Sequence, residues 1–165
     1  MSHGSIHPAV RRWTAVSPGR SFVRMKHTLS VEDQRFRAEF EMGGVTPDAF
    51  THRAHVRLAY VYLAENDPFV AAALMRVALL AFIRIHGIDA TKYHETMTRA
   101  WILAVRHFMA RTPAAKSADE FIDANPILLD SKIMMTHYSA GVLFSAEARS
   151  RFVEPDLQEI PRPDA

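Results

Sequence analysis

The run from Phe69 to Ile83 most restricts how this chain can fold. It is almost wholly apolar, broken only by Arg76, and it is punctuated at both ends. Asn66-Asp67-Pro68 precedes it, a capping side chain followed by a proline whose missing N–H costs nothing in a first helical turn. Gly87 stands just beyond it, where a helix takes a left-handed residue to close its last turn. Ala71, Leu74, Met75, Ala78, Phe82 and Ile85 form a wide apolar stripe at helical spacing. The pattern predicts a helix over 68–86, expected to be the most buried of the fold. The run is shorter than the ~20 residues a membrane span needs. No membrane partner is expected.

Two further long helices flank it. Thr46-Pro47-Asp48 offers a cap, a first-turn proline and an acid at the positive end of the dipole, which predicts a helix over 47–64. His52, His55, Ala59 and Tyr62 share one of its faces. Asp89-Ala90-Thr91 leads into a helix over 92–111, with an inward stripe of His94, Met97, Thr98, Trp101, Val105 and Phe108, stopped by Pro113. Ser30 opens a charged helical segment that Gly43-Gly44 breaks. Ser117 and Ser145 cap short helices, another is expected over 132–138, and the proline-rich segment from Pro155 reads as extended. No two-residue alternation persists over a useful length, so no sheet is expected. The fold class is all-α: a small antiparallel helical bundle with short C-terminal helices.

Charge divides the chain. Arg11, Arg12, Arg20, Arg24 and Lys26 fall before residue 28 with no acid, leaving the other 15 of 20 Lys and Arg to face all 18 Asp and Glu. The reading is a disordered basic extension over 1–28, a single helical domain over 29–160 and an extended tail over 161–165. A start at Met25 or Met42, an arm packed on a partner subunit, or a targeting segment are the alternatives for the extension. It lacks the long apolar stretch of a secretory signal. Nucleic acid is not an expected partner, because few aromatics accompany the basic run and no groove-reading motif follows it. With no cysteine, thiol nucleophiles and zinc–thiolate sites are excluded, and a cytoplasmic location fits.

The residues that carry chemistry cluster at two helix starts. His52 and His55 lie one turn apart, about 5–6 Å between Cβ atoms, a spacing that suits two ligands of one metal. His94 and Glu95 head a third long helix after Tyr93, and Trp101 follows on the same face as His94. Glu95, His94 and Tyr93 are the candidate catalytic residues. Trp101, Arg57, Arg99 and Tyr138 are candidate substrate contacts. His52, His55, His94 and His137 are candidate metal ligands. His3, His7 and His27 lie in the extension and are discounted. There is no glycine-rich phosphate loop, H-E-x-x-H or nucleophile elbow, which disfavours ATP use, metzincin-type proteolysis and α/β-hydrolase chemistry.

Phe50-Thr51-His52-Arg53-Ala54-His55-Val56-Arg57-Leu58-Ala59 and Tyr93-His94-Glu95-Thr96-Met97-Thr98, with Tyr138-Ser139 and Phe152-Val153-Glu154-Pro155-Asp156 in register, are similar to an uncharacterised family of small all-α bacterial proteins. That family carries F-x-H-x-x-H-x-R-[LV]-A and Y-H-x-T-x-T blocks. The resemblance covers about residues 45 to 160. It implies that His52, His55, Tyr93, His94 and Thr96 belong to a recurring pattern, and that Pro155 and Asp156 fix the C-terminal segment against the bundle. It implies no particular activity.

Three functions follow as expectations, with a lean towards an enzyme. The first is a small metal-dependent enzyme acting on a small organic molecule, its one divalent ion (zinc, iron, copper or nickel) held by nitrogen and oxygen ligands. The second is a metal-free acid/base enzyme in which Glu95 serves condensation, isomerisation or ring closure of an aromatic substrate. The third is a non-catalytic binding module. The expected partners are a small-molecule ligand and a second copy in a homodimer.

Overall fold

The computed structural model of the protein describes residues 26–162. Seven α-helices follow in order: α1 (Val31–Glu41), α2 (His52–Glu65), α3 (Pro68–Ile85), α4 (Glu95–Arg111), α5 (Ala118–Ala124), α6 (Ala140–Leu143) and α7 (Ala146–Ser150). There is no strand among the described residues. The helices α2, α3 and α4 pack on one another, α1 and α5 lean on α2, and α7 packs on α4. This is the expected all-α antiparallel bundle, closed at one end by short helices.

Local chemistry sets most of the boundaries. Ser30 and Asp33 form a reciprocal capping box at the head of α1. Asp67 accepts the Val70 N–H and caps α3, with Pro68 in the first turn. The helices α1 and α3 end alike. Gly43 (φ 79°) and Gly87 (φ 64°) are left-handed, and each is followed by a residue whose N–H reaches back five positions. After Gly87 that residue is Ile88, which bonds to the Ile83 carbonyl and brings both isoleucines to one wall of the pocket described below.

Two starts lie further along the chain than the sequence suggests. Thr46-Pro47-Asp48 makes an isolated turn, with Ala49 and Phe50 N–H bonded to the Thr46 carbonyl, and α2 begins only at His52 under a Thr51 cap. Phe50 interrupts the turn by packing against Phe40, Phe82 and His55. Residues 90–92 form a separate 3₁₀ turn, and α4 begins at Glu95 with His94 as its cap. The segment expected to be helical over 132–138 is a 3₁₀ turn at Ile133–Thr136.

The expectation that α3 is the most buried helix is also corrected. Only 28% of its residues are buried, and Phe69, Val77 and Ile85 face outward. The long interior helices are α2, buried throughout Leu58 to Ala64, and α4. An apolar stripe does not reveal how many neighbours a helix has. The α4 helix has them on two sides: Ile102, Val105 and Met109 belong to the main core, while Ala100 and Ala104 face a second core of Ile133, Met134, Tyr138, Leu143 and Ile160.

His27, which falls within the basic extension expected over 1–28, is packed into the fold and lies away from the pocket described below. Its Nε2 lies 2.8 Å from the Met109 carbonyl, its Nδ1 accepts the Ala115 N–H at 3.1 Å, and its ring meets Tyr60 and Phe121 edge-on. The Tyr60 hydroxyl bonds to the carbonyls of Thr28 and Ala115. The expectations for residues 1–25 lie outside the described residues. A chain beginning at Lys26 should keep full stability, whereas one beginning at Leu29 should lose about 2–3 kcal/mol by urea denaturation, because buried partners are left unsatisfied. Equal stability of the two would refute this.

Candidate functional site

A pocket of about 510 Å³ opens between α2, α3, α4 and the turns before α2 and α4. That is the usual size of a small-molecule site. Phe50, Phe82, Tyr93 and Trp101 supply aromatic walls, and Val56, Met75, Leu79, Ile83 and Ile88 supply aliphatic ones. The polar lining comes from His52, His55, His94, Tyr93, Lys92, Thr98 and Ser131. Five residues singled out in the sequence (His52, His55, Tyr93, His94 and Trp101) therefore meet here.

Each imidazole is pinned to the backbone. His52, at the first position of α2, lies 2.8 Å through Nε2 from the Leu128 carbonyl and rests edge-on against Trp101. A carbonyl only accepts, so Nε2 carries the proton and Nδ1 the lone pair. His55 lies one turn later, stacked on Phe50 at 3.8 Å, with Nδ1 3.1 Å from the Thr51 carbonyl. By the same argument its lone pair is on Nε2. Burial lowers the pKa of His55, the Thr51 bond opposes this, and nearby His52 adds to it. His55 is thus held neutral.

His94 is occupied at both nitrogens. Nδ1 accepts the Met97 N–H at 3.1 Å, so Nε2 carries the proton and donates to the Leu143 carbonyl at 2.6 Å. This side chain caps α4 and ties it to α6. Burial lowers its pKa, against the Leu143 bond, and the charge of Arg149 lowers it further. A metal could bind His94 only by displacing one of these bonds.

Glu95 does not line the pocket. Its carboxylate accepts the Tyr93 hydroxyl at 2.6 Å and lies 3.7 Å from Arg76 of α3, with 12% of the side chain exposed. It anchors the pocket's Tyr93 from behind. The Tyr93 hydroxyl is shifted well above its usual pKa, first by burial and then by this bond, so it stays protonated.

Four other candidates lie elsewhere. Arg57 is bound to the buried Asp33 and its guanidinium lies over Phe36. Arg99 lies over the ring of Phe152. The Tyr138 hydroxyl donates to the Val153 carbonyl, and burial pushes its pKa up to about 12. His137 is fully buried with Nδ1 2.7 Å from the Gln158 carbonyl. None of the four lines the pocket. Thr96 is likewise structural: its hydroxyl donates to the Arg151 carbonyl and accepts the Val153 N–H, holding the C-terminal segment. Asp156 holds the same segment by accepting the Ser139 N–H.

The four-histidine ligand set does not assemble. Among the described residues no group of three or more His, Cys, Asp or Glu side chains is placed to hold a metal ion. Lys92, Ser131, Phe50 and Ile88 are pocket residues the sequence reading missed. Phe50 opens the first histidine block and was the one signal available, whereas the others stand on turns whose placement depends on distant packing.

The class defined by fold and site is an all-α bundle with an aromatic, histidine-edged pocket between three helices. Comparison with protein-family models, curated proteins and solved structures gives no match.

Proposed function

We propose that this protein binds a small aromatic molecule carrying a hydroxyl or carboxylate group, with His55 accepting a hydrogen bond from the hydroxyl. The observation that supports this most is the pairing, in one pocket, of four aromatic walls with two imidazoles whose lone pairs are free to accept. An aromatic ring entering the pocket replaces water against apolar surface, worth roughly 25 cal/mol per Å². The neutral His55 Nε2 accepts a hydrogen bond from a ligand hydroxyl, and Lys92 offers a cation to a ligand carboxylate. Glu95 takes a positioning role here through Tyr93, in place of the direct role expected from the sequence.

Trp101 reports on occupancy. The other tryptophan, Trp13, can be replaced by phenylalanine so that fluorescence arises from Trp101 alone. Benzoate, 4-hydroxybenzoate, 1-naphthoate and 2-naphthol form a suitable panel. At least one should change Trp101 emission saturably, and Ala59→Leu, which fills the pocket floor, should weaken that binding by about tenfold or more. His55→Gln should weaken the hydroxyl-bearing compounds more than the carboxylates. No saturable change with any compound at millimolar concentration would remove this reading.

A metal-assisted version is favoured by one specific observation. His52 and His55 each donate one ring N–H to a backbone carbonyl, which is the support metal-ligating histidines commonly have. These two would hold the ion, with water and substrate completing it. Calorimetric titration with zinc, nickel or copper should then show one site that His52→Ala and His55→Ala each abolish and His137→Ala leaves intact. Equal metal uptake by all three variants would refute the two-histidine site.

A further inference from the structure

The outer face of α3 is not covered by any of the described residues. Phe69, Val70, Leu74, Val77, Leu80 and Ile85 are exposed on it, from 38% for Leu74 to 81% for Phe69. The opposite face is committed to the core, where Met75, Leu79 and Phe82 line the pocket. At ~150–200 Å² for a fully exposed large side chain, the six leave on the order of 500 Å² of apolar surface together. That is at the upper end of the ~300–600 Å² found for the largest patch of a monomer.

We propose that this face is covered by the same face of a second copy, with the two α3 helices antiparallel about a two-fold axis near Val77. Three features favour a second copy. Val70, Val77 and Arg84 recur every seven residues, and Leu74 and Leu80 lie three residues to either side of Val77. The helix is self-complementary about Val77: Leu74 falls opposite Leu80, and Phe69 opposite Ile85. Its ends carry opposite charge, Asp67 at the N-cap and Arg84 in the last turn. Antiparallel pairing brings each Arg84 within about one turn of the other copy's Asp67, and sets the two helix dipoles head to tail. The pair covers roughly 1,000 Å² in total, the size from which specific interfaces begin. The helix is also long and apolar enough to meet a membrane and carries Arg76 and Arg84 beside its apolar face; the self-complementarity about Val77 is what favours a second copy.

The test is the mass of the full chain in solution. Sedimentation from about 1 to 200 μM should give twice the 18.6 kDa chain mass at the upper concentrations. Val77→Glu with Leu80→Glu should give a monomer with unchanged thermal melting and unchanged Trp101 fluorescence. Arg84→Glu, which sets like charges together at both ends, should raise the dissociation constant at least about tenfold. A wild-type monomer throughout the range overturns the proposal, and so does a Val77→Glu/Leu80→Glu dimer of full stability. An unchanged dissociation constant for Arg84→Glu overturns the antiparallel register. A wild-type monomer that pellets with phosphatidylcholine/phosphatidylglycerol vesicles assigns the face to a membrane surface instead.

Discussion

Replacing Asp33 with alanine should cost about 3–5 kcal/mol of folding stability, the loss expected when one partner of a buried ion pair is removed. Asp33 is inaccessible to solvent. Its Oδ2 accepts the N–H groups of Ser30 and Ala118 at 3.1 and 2.9 Å, and its Oδ1 lies 3.0 Å from two nitrogens of Arg57. One carboxylate therefore joins the start of α1, the middle of α2 and the start of α5. Alanine strands the guanidinium, whose side chain is only 22% exposed, together with two backbone donors. Asp33→Leu combined with Arg57→Met should be less damaging than Asp33→Ala alone, because no charge is left without its partner. Urea denaturation of the three proteins decides the matter. A loss below about 1 kcal/mol for Asp33→Ala, or a double variant worse than the single, would show that the network does not bear on stability.

That network also holds Arg57, a candidate substrate contact by its place in the sequence, away from the pocket. Its partner lies 24 residues earlier, on a helix that the sequence marks only as charged. The features legible in the sequence are those decided within a few residues: the Ser30, Asp67, Ser117 and Ser145 caps, the left-handed Gly87, and the one-turn spacing that sets His52 and His55 on a common wall. The features that were not legible are decided by distant contacts. Thr46-Pro47-Asp48 satisfies every local rule for a helix start, yet Phe50 leaves the turn to pack on Phe40 and Phe82. His137 and Tyr138 follow the pattern of candidate site residues, but both serve to seat the C-terminal segment, 15 to 21 residues further on. Glu95 is near the pocket in sequence, but an adjacent helical position points it to Arg76 and the back of Tyr93.

His94→Ala should lower stability by about 2–3 kcal/mol, and His94→Asn should recover a substantial part of that loss. The imidazole does two structural things: it caps α4 through Nδ1, and it satisfies the Leu143 carbonyl through Nε2. Losing a side-chain cap costs typically ~1 kcal/mol, and leaving a partly buried acceptor unpaired costs about 1–3 kcal/mol. Asparagine restores the cap, because its side-chain oxygen can accept the Met97 N–H, and it does not titrate. The pH dependence distinguishes this role further. The pKa of His94 is lowered in the folded protein, so above the unfolded value of about 6.5 the group is neutral in both states and its contribution is complete. As pH falls below that value the unfolded chain takes up the proton first, and stability declines until the folded pKa is passed. His55 and His107, also lowered by burial, act in the same direction. The wild type should therefore melt at a lower temperature at pH 5.5 than at pH 7.5, with a smaller difference in His94→Asn. If His94→Ala keeps full stability and the wild-type pH dependence yet no longer binds the aromatic probes, then His94 is a ligand contact and its capping role is incidental.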